Sequence, residues 1–143
     1  MKYLLSLLIT LSSITAYATP VDGEIFYKKP DGEVSTRLVT LEVPSRGQGE
    51  VILSNEKFEW RTTKFKSIEK NNRTMFIALF ETSFLFFIKG TIALKGTYIN
   101  GTNKIMYYGD FYKMKGHDVD FESLDENLVG FEHKGGFRFE YDR

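Results

Sequence analysis

From residue 23 onward the chain alternates apolar and polar positions in short runs, and half of these runs stop directly at Gly, Pro, Asn or Asp. A period of two puts one set of side chains on one face of an extended strand, so the pattern predicts strands rather than amphipathic helices. The runs are 23–29, 33–43, 50–53, 57–66, 74–80, 84–99, 104–115, 118–122, 128–133 and 137–141. Strands at such regular spacing predict an all-β fold: one small antiparallel β-barrel or sandwich, a meander of hairpins with about 8–10 strands. Residues 74–88 are apolar on both phases and would also suit a buried helix. Their phenylalanine content and the Glu81-Thr82-Ser83 interruption favour two strands.

Turn chemistry predicts three registers. Asn100-Gly101 suits the two positive φ values of a type I′ turn, which pairs Ile99 with Thr102. One face then carries Ile92, Leu94, Gly96 and Tyr98 with Ile105, Tyr107, Gly109 and Phe111, setting Gly96 opposite Ile105 and Gly109 opposite Ile92. The other face, with Lys95, Met106, Tyr108 and Asp110, is expected to be solvated. A β-branched residue at Gly101 would be strained at positive φ and is expected to cost about 1 kcal/mol or more. Near the C-terminus a loop of Lys134-Gly135-Gly136 sets Phe131 against Phe139 and Glu132 against Arg138. For the first hairpin, a loop from Lys29 to Gly32 pairs Lys28 with Glu33 and Glu24 with Arg37.

The start of the chain has a different pattern. Lys2 precedes the apolar run Leu4 to Leu11, and Ala16-Tyr17-Ala18 supplies the small-x-small sequence a signal peptidase needs. Residues 1–18 are therefore expected to be a signal peptide cleaved after Ala18, and 19–143 a single antiparallel β domain, exported to the periplasm or the extracellular space. The apolar run is shorter than the roughly 20 residues of a spanning helix, and candidate outer strand faces carry Lys and Glu, so the processed protein is not expected to span a membrane.

With no cysteine, disulfides, thiol nucleophiles and lipid attachment through a cysteine are excluded. The 19 Lys+Arg are interleaved with 19 Asp+Glu, which argues against nucleic acid as a partner because such binders concentrate basic charge on one face. Aromatic content is high, with Phe 13, Tyr 8 and Trp 1.

Candidate chemistry is sparse. His117 lies beside Asp118 and Asp120, with Ser123 nearby, but residues this close in sequence rarely converge into a catalytic triad. His133 is expected at a hairpin end. The acidic series Asp118, Asp120, Glu122 lacks the Gly and Glu that a calcium loop needs at its sixth and twelfth positions, where Ser123 and Val129 stand. Asn72-Arg73-Thr74 and Asn100-Gly101-Thr102 match the glycosylation sequon, although turn chemistry alone explains both asparagines. No catalytic residue, metal site or cofactor is expected.

Three functional classes survive. The first is an exported non-enzymatic barrel that binds a small apolar ligand, with Trp60, Tyr107 and Phe111 as candidate lining residues; a lipocalin-like up-and-down barrel has about this length and strand number, although none of that family's sequence motifs is present. The second is a structural or interaction protein that meets an envelope protein through Met106 and the exposed aromatics Tyr108 and Tyr112 or through sheet edges. The third is a hydrolase centred on His117.

Overall fold

In the computed structural model, which describes residues 20–44, 49–84 and 88–142, the alternating runs become nine strands. They are β1 (Pro20–Lys28), β2 (Val34–Glu42), β3 (Val51–Ser54), β4 (Glu59–Thr62), β5 (Phe65–Lys70), β6 (Arg73–Phe84), β7 (Ile88–Asn100), β8 (Lys104–Lys115) and β9 (Glu132–Asp142). All belong to one antiparallel sheet in the order β4-β3-β2-β1-β9-β8-β7-β6-β5. Strands adjacent in sequence are neighbours in space wherever they pair, and β9 returns to β1.

β4 and β5 are two halves of one bent strand. β4 pairs with β3, β5 pairs with β6, and at the corner between them the Lys64 N–H donates to Thr62 Oγ1 at 2.9 Å. The Leu79 N–H donates to the Lys64 carbonyl, also at 2.9 Å. The bend thus brings the two sheet edges together and nearly closes the barrel, which shortens the unpaired edge the sheet would otherwise present.

The inward positions of this barrel are apolar. Val21, Val39, Leu41, Val51, Leu53, Phe80, Leu94, Phe137 and Phe139 are buried against one another, and each such side chain contributes about 1.5–3 kcal/mol by leaving water. A second, smaller core lies on the outside of the wall. There the connection from β8 to β9 folds back so that Val119, Phe121, Leu124, Leu128 and Phe131 cover Ile68, Ile77, Leu79, Ala93 and Tyr112. Lysines of the wall hold it down: Lys66 donates to the carbonyls of Phe121, at 3.0 Å, and Leu124, and Lys95 to that of Glu126.

Several sequence expectations change. The first hairpin pairs Lys28 with Val34 and Ile25 with Arg37, so its loop is Pro30-Asp31-Gly32, with Gly32 at φ +90°. A type I turn followed by a left-handed glycine closes this loop one residue later than the charge pairs suggested. At the Asn-Gly hairpin Asn100 pairs with Ile105 and Tyr98 with Tyr107, and the Gly101 N–H donates to the Lys104 carbonyl at 2.9 Å. The turn therefore lies on Thr102-Asn103. Gly96 faces Gly109 instead of a large residue. This register differs from the expected one by an even number of residues, so the two faces keep their expected members.

The left-handed pair appears instead at Asn71 and Asn72, with φ of 53° and 62°, in the tight turn that pairs Lys70 with Arg73. Asparagine tolerates that region better than other non-glycine residues. The C-terminal hairpin does not form, because Gly135 and Gly136 lie inside β9, paired with Tyr27 and Phe26 on one side and with Phe111 and Asp110 on the other. The run 118–122 is not a strand, nor are residues 128–131 of the run 128–133, whose last two residues begin β9: they belong to the outer cover, where Val119, Phe121 and Leu128 find a core without a ladder. The run 57–66 is broken by the corner, and β6 continues through Glu81-Thr82-Ser83 to Phe84. The expected signal peptide and its cleavage site lie outside the described residues.

Candidate functional site

Alternation along β1, β2, β4, β7 and β8 turns Ile25, Val39, Trp60, Ile92, Leu94 and Phe111 toward the same end of the barrel interior, where they enclose a cavity of about 320 Å³. Phe58 completes the wall. Its ring stacks on Trp60 with centroids 4.3 Å apart, and Trp60 in turn leans on the fully buried Phe80 at 6.4 Å. Offset aromatic contacts of this kind hold flat surfaces in place at little entropic cost. The rim is polar and basic, with Tyr27, Lys28, Arg37, Lys113 and Lys134. The Arg37 guanidinium sits 5.6 Å from the centre of the Tyr27 ring. A hydrogen bond with Ser35, with Arg37 also beside it, holds the Tyr27 phenol below its usual value despite some desolvation.

The three aromatic residues expected to line a ligand site do not share one cavity. Trp60 and Phe111 do, whereas Tyr107 lines a second hollow of about 460 Å³ at the opposite end, among Phe65, Ser67, Glu69, Thr74, Phe76 and Tyr98. Tyr107 and Phe111 are on the same face of β8, but four residues of strand put them about 13 Å apart. Between them lies the buried Phe137, paired with Gly109 midway between Tyr107 and Phe111 on β8. The second hollow is larger, yet its wall carries Glu69, which accepts a hydrogen bond from Thr74 at 2.8 Å, together with the Ser67 hydroxyl. Covering such groups with an apolar molecule would cost desolvation, so the cavity at Trp60 is the better apolar site. Lining residues that sequence reasoning missed, Ile25, Val39 and Ile92, carried only the alternation signal common to every inward position.

Tyr107 stacks on Tyr98 at 4.9 Å and meets Phe76 edge-on at 5.5 Å. Burial, with Tyr98 close by, pushes its phenol up to about 12, from an ordinary value of 10.0. The unfolded chain therefore loses this proton at a lower pH than the folded one. The associated stability is fully present below the ordinary value and declines as pH rises from there toward about 12. Tyr107→Phe is expected to flatten that alkaline decline, read as the difference in urea midpoint between about pH 8 and about pH 11. An equally steep decline in the variant would assign it to other groups.

The histidine constellation does not assemble. His117 Nε2 lies 2.9 Å from the Thr82 carbonyl, an acceptor only, so that nitrogen carries a proton and donates it. Asp118 and Asp120 are exposed, and the Ser123 hydroxyl reaches only the Asp120 backbone carbonyl, at 3.4 Å. His133 lies on the outer surface, with Nε2 2.9 Å from Asp110 Oδ1 and its ring edge-on to Tyr112. Neither histidine lines the cavity at Trp60. Among the described residues no three His, Cys, Asp or Glu side chains gather as a metal site. Comparisons of the chain with protein-family models, with curated proteins and with solved structures give no match.

Proposed function

We propose that the protein is an exported, non-enzymatic β-barrel that holds a small apolar ligand in the cavity between Trp60 and Phe111. The observation that carries this reading is the cavity itself: its roughly 320 Å³ fall within the range of small-molecule sites, and apart from the rim its walls are aliphatic and aromatic. An aqueous compartment is supported by the outward positions Asp22, Glu24, Lys95, Asp110 and Arg138, whose charges would be costly against lipid tails. Export rests on the Lys2, apolar-run and Ala16-Tyr17-Ala18 sequence.

Native mass spectrometry of protein purified from its export compartment tests the reading. The expected spectrum shows a chain beginning at Thr19 with a co-purifying small molecule, and Trp60→Ala or Phe111→Ala is expected to weaken retention about tenfold. An empty chain that still carries Met1 would contradict both the ligand and the compartment. A second reading, an interaction protein of the envelope, draws on the outer depression flanked by Phe26 and Tyr108, which are 38% and 36% exposed. Of the outer residues expected for that role, Tyr112 is packed beneath the β8–β9 connection instead.

A further inference from the structure

We infer that the ligand of this cavity is an amphiphile: an apolar body of about ten non-hydrogen atoms carrying one anionic head group. The inference rests on the proposed binding function and deepens it. The size follows from the cavity volume, which equals about ten times the share of liquid volume a water molecule occupies.

The sign of the head group follows from the register. On β2, Val39 belongs to the wall, and Arg37 is the next residue on the same face toward the mouth. On β8, Phe111 belongs to the wall, and Lys113 is the next. The two cations pair across the sheet with wall residues, Arg37 with Ile25 and Lys113 with Ile92. Each staggered step thus replaces an apolar contact by a positive charge at the depth where a buried chain would end. Lys28 and Lys134 complete the basic rim, and no aspartate or glutamate is among the described lining residues. Glu132, which pairs with Lys113 in the β8–β9 ladder, lies 3.1 Å from Lys134 and is largely exposed. The opposite hollow has a different character, with Glu69 in its wall. A ligand with a carboxylate, sulfate or phosphate monoester head would place the charge among Arg37, Lys113, Lys28 and Lys134, within reach of the Tyr27 hydroxyl, and its chain against Trp60, Phe58 and Phe111.

Exposed cations each contribute little, so the expected preference comes from several acting together. Trp60 is the chain's one tryptophan and lies in the wall, so its emission reports occupancy directly. The experiment is a titration of the full processed protein, below micelle-forming concentrations, with decyl sulfate, decanoate, decanol and decyltrimethylammonium. The anions are expected to bind about tenfold tighter than decanol and the cation weakest of all. In Arg37→Gln/Lys113→Gln, with both changes at exposed positions, the anions are expected to fall to within about threefold of decanol measured on the same variant. Decanol binding as tightly as the anions, or decyltrimethylammonium binding best, overturns the anionic head group and leaves the apolar site intact. A Trp60 emission that no probe alters overturns both.

Discussion

Replacing Gly135 by alanine is expected to destabilise the barrel by about 3 kcal/mol. A Cβ there would lie 2.0 Å from the Phe26 carbonyl oxygen and 2.7 Å from Phe111 Cε1. The first of these atoms is backbone on the neighbouring strand, held by the β1–β9 ladder, so the clash cannot be relieved by turning a side chain. The lower entropy of the unfolded alanine chain offsets only about 0.4–1 kcal/mol of this. Gly101 provides the contrast: it is not at positive φ, and its nearest obstacle is the Lys104 carbonyl oxygen at 3.4 Å, so Gly101→Ala is expected to be close to neutral. Urea midpoints of the two variants decide the matter. If Gly135→Ala unfolds at the wild-type midpoint, the glycine pair is a loop tip and not part of the wall.

Phe137→Ala is expected to cost at least as much, about 3–5 kcal/mol. Phe137 is 1% exposed and packs against Phe76 and Phe139, at centroid distances of 5.8 Å in both cases. Its ring reaches into the space left by the facing pair Gly96 and Gly109, where a Cβ on Gly96 would lie 2.7 Å from its Cζ. Neighbouring backbone is fixed by ladders on both sides, so the wall cannot collapse into the void. Removing the ring also thins the layer between the two end hollows. The variant is therefore expected to lose cooperativity of thermal unfolding as well as midpoint. Phe137→Leu, which keeps much of the volume, should recover more than half of the loss; if it does not, the ring contacts rather than the volume are decisive.

The alternation along the chain made the strands and their inward faces legible. Ile92, Leu94, Tyr107 and Phe111 could be assigned to the inside without knowing the pairing, because an even register error leaves faces unchanged. The pairing itself was not legible. Asn100-Gly101 has the composition of a type I′ turn, yet the ladder from Tyr98-Tyr107 to Gly90-Lys115 places the turn two residues later, and the left-handed pair went to Asn71-Asn72. Long-range pairing outweighed a local preference of about a kcal/mol. Gly135-Gly136 misled for a related reason. Glycine serves turns and close strand approaches alike, and only the position of Phe26 and Phe111 across the sheet distinguishes them. The outer cover imitates strands because Val119, Phe121 and Leu128 need a core and the outside of β5–β8 supplies one.

Of the candidate site, Trp60 and Phe111 could be proposed from residue type alone. That they share a cavity and that Tyr107 does not depend on strand length and stagger, which a single sequence leaves open. The basic rim was hidden for the same reason: Lys28, Arg37, Lys113 and Lys134 are scattered over the chain among acids and converge only when β1, β2, β8 and β9 stand side by side.

Intermolecular nuclear Overhauser effects between the protein and protonated decanol in its complex show whether the Trp60 end of the barrel is a ligand site. Cross-peaks from the decyl chain to the Trp60 indole, the Phe111 ring and the Ile92 methyls are expected, with none to the Tyr107 ring. Cross-peaks confined to Phe26 and Tyr108 on the outer face, or to Tyr98 and Tyr107 at the other end, would contradict the account.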